Sequence, residues 1–199
     1  MTNKLLFLIL IVGFFPLAYA QDDLRLDAEP ATRNVNDAVQ QSLPFDNTED
    51  FELADRGLVA RPDSIRIVDD SGNVVWDLDQ FGFVQDDPPA SVNPSLWRQA
   101  QLNSRYGLYK VTDRIYQVRG FDVSNMTIIE GDTGYIIVDT LLTAETARAA
   151  MDFAMQHLAE KPIIAVFYSH SHADHFGGVK GVISQEQSDT GDVRVIASE

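Results

Sequence analysis

Three of the four histidines in this 199-residue chain fall within six positions, His170-Ser171-His172-Ala173-Asp174-His175. The spacing is H-x-H-x-D-H, three imidazoles and one carboxylate. These are the groups a borderline divalent ion such as zinc prefers as ligands. Residues two apart in an extended segment project to one side, so His170 and His172 can face one ion. As the chain turns into a following helix, Asp174 and His175 project elsewhere, placed to bind a second ion beside the first. Two ions about 3.5–4 Å apart can share a hydroxide, lower the pKa of bound water to about 7 and stabilise charge on a leaving oxygen. The bland alternative is a polar surface loop with chance histidines. Against it stands the position of the cluster, after the apolar run 163–168, where α/β proteins place ligands at the carboxyl end of a strand. Ser169 and Ser171 read as hydrogen-bonding or spacer groups, because a metal needs no seryl nucleophile.

The elements that must position this loop are legible on both sides of it. Run 163–168 is expected as a strand. Before it, a helix over 144–159 carries Ala147, Ala150, Met151, Ala154 and Leu158 as one stripe at helical spacing, which reads as core. Thr143 is its candidate N-cap, Glu145 suits its first turn, and Pro162 stops the run. His157 lies off the stripe and reads as a solvated surface residue. Upstream, strands are expected over 108–111 and 115–118, and again over 125–130 and 135–138, with Asp139-Thr140 closing the last. Past the histidines, Phe176-Gly177-Gly178-Val179 reads as a glycine-rich helix start whose small residues allow tight packing. A final strand over 193–197 ends almost at the last residue, so the chain is expected to be the N-terminal part of a longer protein.

The first half of the chain is less regular. Runs 65–68 and 74–76, joined by Asp69-Asp70-Ser71-Gly72-Asn73, read as a β-hairpin. A short helix is expected over 95–106, with Pro94 and Ser95 as start signals. Two further short helices are expected over 36–43 and 51–59, the second ended by Gly57 or by Arg61-Pro62. Domain boundaries follow: a leader over 1–20, an arm with the hairpin over 21–106, and an α/β unit over 107–199.

The leader is expected from Lys4, the apolar run 5–17 and the A-x-A pattern Ala18-Tyr19-Ala20, which together make a secretory signal with a mature start at Gln21. The run is too short for a confident membrane span. The protein is therefore expected to be exported, periplasmic or secreted, with no stable membrane anchor. There is no cysteine, which removes disulfides, thiolate metal sites and a bacterial lipid anchor. The formal net charge is -15. So acidic a surface disfavours nucleic acid and anionic membranes. It leaves an anionic substrate open, because a local cation can override the global field. Asn125-Met126-Thr127 matches a glycosylation sequon but reads as part of a strand.

The order strand, strand, Asp139, helix, strand, H-x-H-x-D-H, F-G-G resembles the metallo-β-lactamase superfamily. Within it, Asn93-Pro94-Ser95-Leu96-Trp97-Arg98-Gln99-Ala100 is similar to a segment of the alkyl sulfatases. So are Ile115-Tyr116-Gln117-Val118-Arg119-Gly120-Phe121-Asp122-Val123-Ser124-Asn125-Met126-Thr127, Glu130-Gly131-Asp132, Gly177-Gly178-Val179-Lys180-Gly181-Val182 and Val75-Trp76-Asp77. The resemblance covers roughly residues 51–199. It implies a mixed α/β (α+β) fold, the first half of an αββα sandwich preceded by an arm with a β-hairpin. It makes His170 and His172 ligands of one Zn2+ and Asp174 and His175 ligands of another. Asp174 is carried as the catalytic residue of the set, and Asp139 as a support near the site or simply a strand-end cap. The implied reaction is hydrolysis of an alkyl sulfate ester to alcohol and sulfate through a metal-activated water. The alternatives are another hydrolase of the superfamily, a β-lactamase or lactonase, and a non-catalytic zinc-binding fragment. The family places further ligands, sulfate-binding residues and a dimerisation domain well downstream of this sequence. The chain alone is thus expected to be inactive and poorly stable, with an open sheet edge and undercoordinated ions, and a homodimer is expected only of the whole protein.

Overall fold

A computed structural model describes residues 28–198 of the chain. The leader expected over 1–20 lies outside the described residues. In chain order the elements are α1 (Pro30–Ser42), α2 (Glu49–Asp55), β1 (Leu58–Ala60), β2 (Arg66–Val68), β3 (Val74–Asp77), α3 (Pro94–Asn103), β4 (Gly107–Thr112), β5 (Ile115–Arg119), β6 (Met126–Glu130), β7 (Tyr135–Val138), α4 (Ala144–Met155), β8 (Ile163–Phe167), α5 (Ala173–Phe176), α6 (Gln185–Asp189) and β9 (Arg194–Ile196). Among them no helix is long and apolar enough to cross a membrane.

Seven strands form one sheet in the order β1-β4-β5-β6-β7-β8-β9, and β2 and β3 form a separate hairpin. The sheet is antiparallel from β1 to β7 and parallel from β7 to β9, with α4 as the crossover between β7 and β8. This mixed α/β arrangement agrees with the fold class expected from the sequence.

The core lies on one face of the sheet. Leu108, Val118 and Met126 are register partners across β4, β5 and β6, and Ile128, Ile137 and Val166 across β6, β7 and β8. All six are buried. Residues of the same parity along a strand share a face, so both rows look toward α4. That helix presents Ala147, Ala150, Met151 and Ala154 to them, with Leu158 packed at the edge of the cluster. Three alanines leave little side-chain bulk between helix and sheet. Phe121 stacks on Phe153 of α4 at a centroid distance of 5.4 Å, and α4 also packs against the hairpin strands β2 and β3. His157 is exposed, its ring edge-on to Phe153.

Several boundaries differ from the sequence reading. The helix expected over 36–43 begins six residues earlier, at Pro30, where proline suits the first helical position. No residue of it is buried, so it has no core-facing stripe to mark it. The helix expected over 51–59 ends at Asp55. Gly57 adopts φ +80 and its carbonyl accepts from Lys110 N–H, after which Leu58–Ala60 pairs with β4. The helix α3 stops at Asn103, short of 106. Its cap is Asn93, whose Oδ1 accepts from Ser95 N–H and Leu96 N–H. The last turn expected of α4 closes on itself instead, with Gln156, His157 and Leu158 N–H groups bonding back to Phe153 and Ala154. The glycine-rich run leads only into a single 3-10 turn, Val179–Gly181, and not into an α-helix. α5 begins at Ala173 and the glycines end it.

Candidate metal centre

The parallel pair β7–β8 delivers its two carboxyl ends side by side, with Asp139 N–H bonded to the Phe167 carbonyl. The site is built on these ends. Asp139 and Leu141 both adopt left-handed backbone angles, φ 61 and φ 63. Such angles cost a residue with a side chain about 1–2 kcal/mol. Here they turn the chain sharply out of the sheet and leave the Asp139 carboxylate aimed at the loop after β8.

Asp139 is 8% exposed, and its two oxygens organise that loop. Oδ1 accepts from Ser169 N–H at 2.8 Å, and Oδ2 accepts from the Ser169 hydroxyl at 2.7 Å. Oδ2 also faces His175 Nδ1 at 2.7 Å. Burial pushes this carboxyl up, but the bonds from Ser169 N–H, the His175 ring and the Ser169 hydroxyl outweigh burial and hold it below the usual carboxylate range.

The proton positions follow from this network by elimination. A carboxylate only accepts, so His175 must present Nδ1–H to Asp139 and keep its lone pair on Nε2. The single hydroxyl proton of Ser169 goes to Asp139, so the 3.0 Å contact between Ser169 Oγ and His170 Nδ1 requires His170 to donate there. His170 therefore also carries its lone pair on Nε2. One carboxylate thus sets both tautomers, one directly and one through a serine.

The two lone pairs face different partners. His170 Nε2 lies 3.0 Å from His172 Nδ1, and His175 Nε2 lies 3.3 Å from Asp174 Oδ2. With zinc–ligand bonds of about 2.0–2.2 Å, two ligands on a tetrahedral ion stand about 3.3 Å apart. Each pair is thus spaced as two corners of such a tetrahedron, and the residues fit the group. The His170 ring lies 4.0 Å from that of His175, centroid to centroid, so the two pairs adjoin. Among the described residues no group of three or more His, Asp or Glu side chains converges on one point. The loop offers two donors in each of two places and leaves the remaining corners to other groups.

The helix α5 that carries Asp174 and His175 is held by neighbours more than by itself. Thr140 N–H donates to the His175 carbonyl at 2.8 Å and Gly178 N–H to the Leu141 carbonyl at 2.9 Å. A Cβ at Gly178 would collide with the carbonyls of Thr140 and Thr143, and one at Gly177 with that of Leu142. The glycines permit this close approach to the start of α4. That start is a capping box between Thr143 and Thr146, as the sequence suggested for Thr143.

The structure brings together all four candidate residues, His170, His172, Asp174 and His175, and of the two readings of Asp139, support near the site or strand-end cap, its bonds to Ser169 and His175 match the first. Ser169 is a hydrogen-bonding group, bonded to Asp139. The sequence reading missed the roles of two residues of the β5–β6 link: Ser124, which reaches the Asp174 carbonyl, and Asp122, which holds the start of α4. No local pattern marks them, because their partners lie 20 to 50 residues away. Three cavities, including one of about 470 Å³ bounded by Trp76, Arg105 and Asp122, have no wall from the histidine loop.

Residues 119–187 match the model of the metallo-beta-lactamase superfamily. An (R)-specific secondary-alkylsulfatase of Pseudomonas sp is 53% identical over 176 residues, 86% of this chain and 26% of the relative. An alkyl/aryl-sulfatase of Saccharomyces cerevisiae is 47% identical over 86% of this chain and 27% of its own length. The solved structure of a stereoselective inverting sec-alkylsulfatase from Pseudomonas sp superposes with a TM-score of 0.80 at 53% identity, covering 85% of this chain and 27% of that one. The chain spans about a quarter of the length of these relatives.

Proposed function

The chain belongs to the alkylsulfatase branch of the metallo-β-lactamase superfamily, and on that ground we propose that the protein hydrolyses alkyl sulfate esters to alcohol and sulfate, with divalent metal held at the histidine loop. The observation that carries this is the pairing of ring nitrogens and carboxylate at 3.0 and 3.3 Å, each spaced to share an ion. His170 and His172 hold one ion, and Asp174 and His175 hold the other. Zinc suits this donor set best, since it mixes imidazole with carboxylate and contains no thiolate. When bound, such ions supply Lewis acidity toward both a water molecule and the sulfate ester.

The chain's own residues do the rest. Asp139 and Ser169 keep Nδ1 of His175 and His170 protonated, so each ring offers Nε2 outward. Asp174, beside His175, adds a negative charge that holds cations and can accept a proton from water at the site, which is its catalytic role. The loop lies outside the cavities described above, in a position to be approached by an anionic head group. The net charge of -15 repels a sulfate ester at long range, so a local cation is needed to draw one in. Export fits the leader pattern over residues 1–20, and we include an extracytoplasmic location in the proposal.

The test is sulfate release from dodecyl sulfate by the intact protein. Expected are release by the protein as purified, loss on chelation and recovery with zinc. Hydrolysis of nitrocefin without sulfate release would overturn the substrate class. Full activity after complete chelation would overturn the metal.

A further inference from the structure

The link between β5 and β6 holds two buried polar residues that the ligand pattern leaves unexplained. Asp122 is 6% exposed and Ser124 is 9% exposed. Asp122 Oδ2 accepts from Leu142 N–H at 3.1 Å and from the Thr146 hydroxyl at 2.5 Å, and Oδ1 accepts from Val123 N–H at 2.6 Å. Thr146 belongs to the capping box of α4. One end of the link is therefore pinned to the start of the helix that the glycines of the histidine loop pack against. At its other end, the Ser124 hydroxyl donates to the backbone carbonyl of Asp174 at 2.5 Å.

That last bond matters because of what α5 is. It has four residues, too few to be stable from its own hydrogen bonds. Its direction is set from outside: by Thr140 on the His175 carbonyl, by Leu141 on Gly178, and by Ser124 on the Asp174 carbonyl. Only the Ser124 bond grips Asp174 itself. His170 and His172 lie before this helix and receive no bond from Ser124.

We propose that Ser124, fixed in place by Asp122, is a positioning residue that aims the Asp174 carboxylate and so sets metal affinity at the Asp174/His175 pair independently of the His170/His172 pair. This rests on the reading of the loop as a two-ion site. Ser124 touches neither ion nor substrate. It acts through the backbone of a ligand, where outer hydrogen-bond partners are worth about 10–100-fold in metal affinity.

The test is titration of the chelator-stripped intact protein with zinc, and with cobalt for its absorption bands. The unliganded form of each variant is melted in parallel. Expected for Ser124→Ala is two binding steps with one weakened about 10–100-fold, the other unchanged, and an unliganded melt close to that of the parent. Ser124→Thr, which keeps the hydroxyl, restores the weakened step. Asp122→Asn weakens the same step by a smaller factor. Two steps at parental affinity in Ser124→Ala, or equal weakening of both, would overturn the proposal while leaving the two-ion reading intact. A parent protein that takes up no metal would overturn both. If Ser124→Ala fails to fold, Asp122→Asn decides: unchanged binding of both ions overturns the proposal.

Discussion

Asp139 Oδ2 and His175 Nδ1 stand 2.7 Å apart across 36 residues of sequence. The contact joins the end of β7 to the helix after β8. It turns a strand-end residue into the group that decides which nitrogen of His175 can bind anything. Asp139→Asn keeps the shape but lets the amide donate to Nδ1, which favours the opposite tautomer and moves the proton onto Nε2. The expected result is a loss of about 10–100-fold in metal affinity, read by chelator competition. Retention of parental affinity would show that Asp139 only caps the strand.

The contrast between such contacts and the regular elements explains what the sequence could disclose. Strands β6 and β7 were readable because 126–129 and 135–138 are short, largely apolar runs separated by the turn formers Gly131-Asp132-Thr133-Gly134. The α4 stripe was readable because its apolar residues recur at a period near 3.6. The four donors were readable because their spacing is local. α1 was only partly readable, since none of its residues is buried. β1 has three residues and owes its existence to pairing with β4. α5 is made by bonds from Ser124, Thr140 and Leu141, which no window along the chain contains.

Gly178→Ala tests how tightly the loop is packed. Its backbone angle is ordinary, so the cost comes from contact alone. The added methyl would press on the Thr140 and Thr143 carbonyls and on the Ala147 methyl. The first two are backbone atoms at a turn containing two left-handed residues and a helix cap, where little can give. Overpacking of this kind costs about 1–3 kcal/mol. A lower thermal midpoint together with weaker metal binding is expected, because the turn also carries Asp139. An unchanged midpoint would mean the loop is loosely held.

Asn93 offers a test of the arm that is independent of metal. Its side chain caps the start of α3, with Oδ1 2.9 Å from Ser95 N–H. Asn93→Ala is expected to destabilise the protein by about 0.5–2 kcal/mol in denaturant unfolding, with Asn93→Asp close to the parent. Equal stability of Asn93→Ala and the parent would show that water replaces the cap at no cost.

The pair Asp50–Arg98 makes a prediction about acid. Arg98 in α3 binds Asp50 in α2 through two nitrogens, Nη2 to Oδ1 at 2.5 Å and Nε to Oδ2 at 3.0 Å, and also holds the carbonyl of Phe45. Its guanidinium lies 4.8 Å above the Phe51 ring. Hydrogen bonding to Arg98 outweighs the opposing effect of burial and holds the Asp50 carboxyl below its ordinary value of 3.8. A carboxyl whose pKa is lower in the folded state binds fewer protons there than in the unfolded chain. Its stabilising effect is therefore complete above about pH 4, shrinks as the pH falls below 3.8, and is gone below the lowered value. Asp50→Asn removes it at every pH. Stability of the parent and of Asp50→Asn should differ at neutral pH and converge as acid is added, measured by denaturant unfolding across the range. A gap that stays constant down to the lowest pH would mean the asparagine loses packing or geometry, and that charge pairing contributes nothing at this joint.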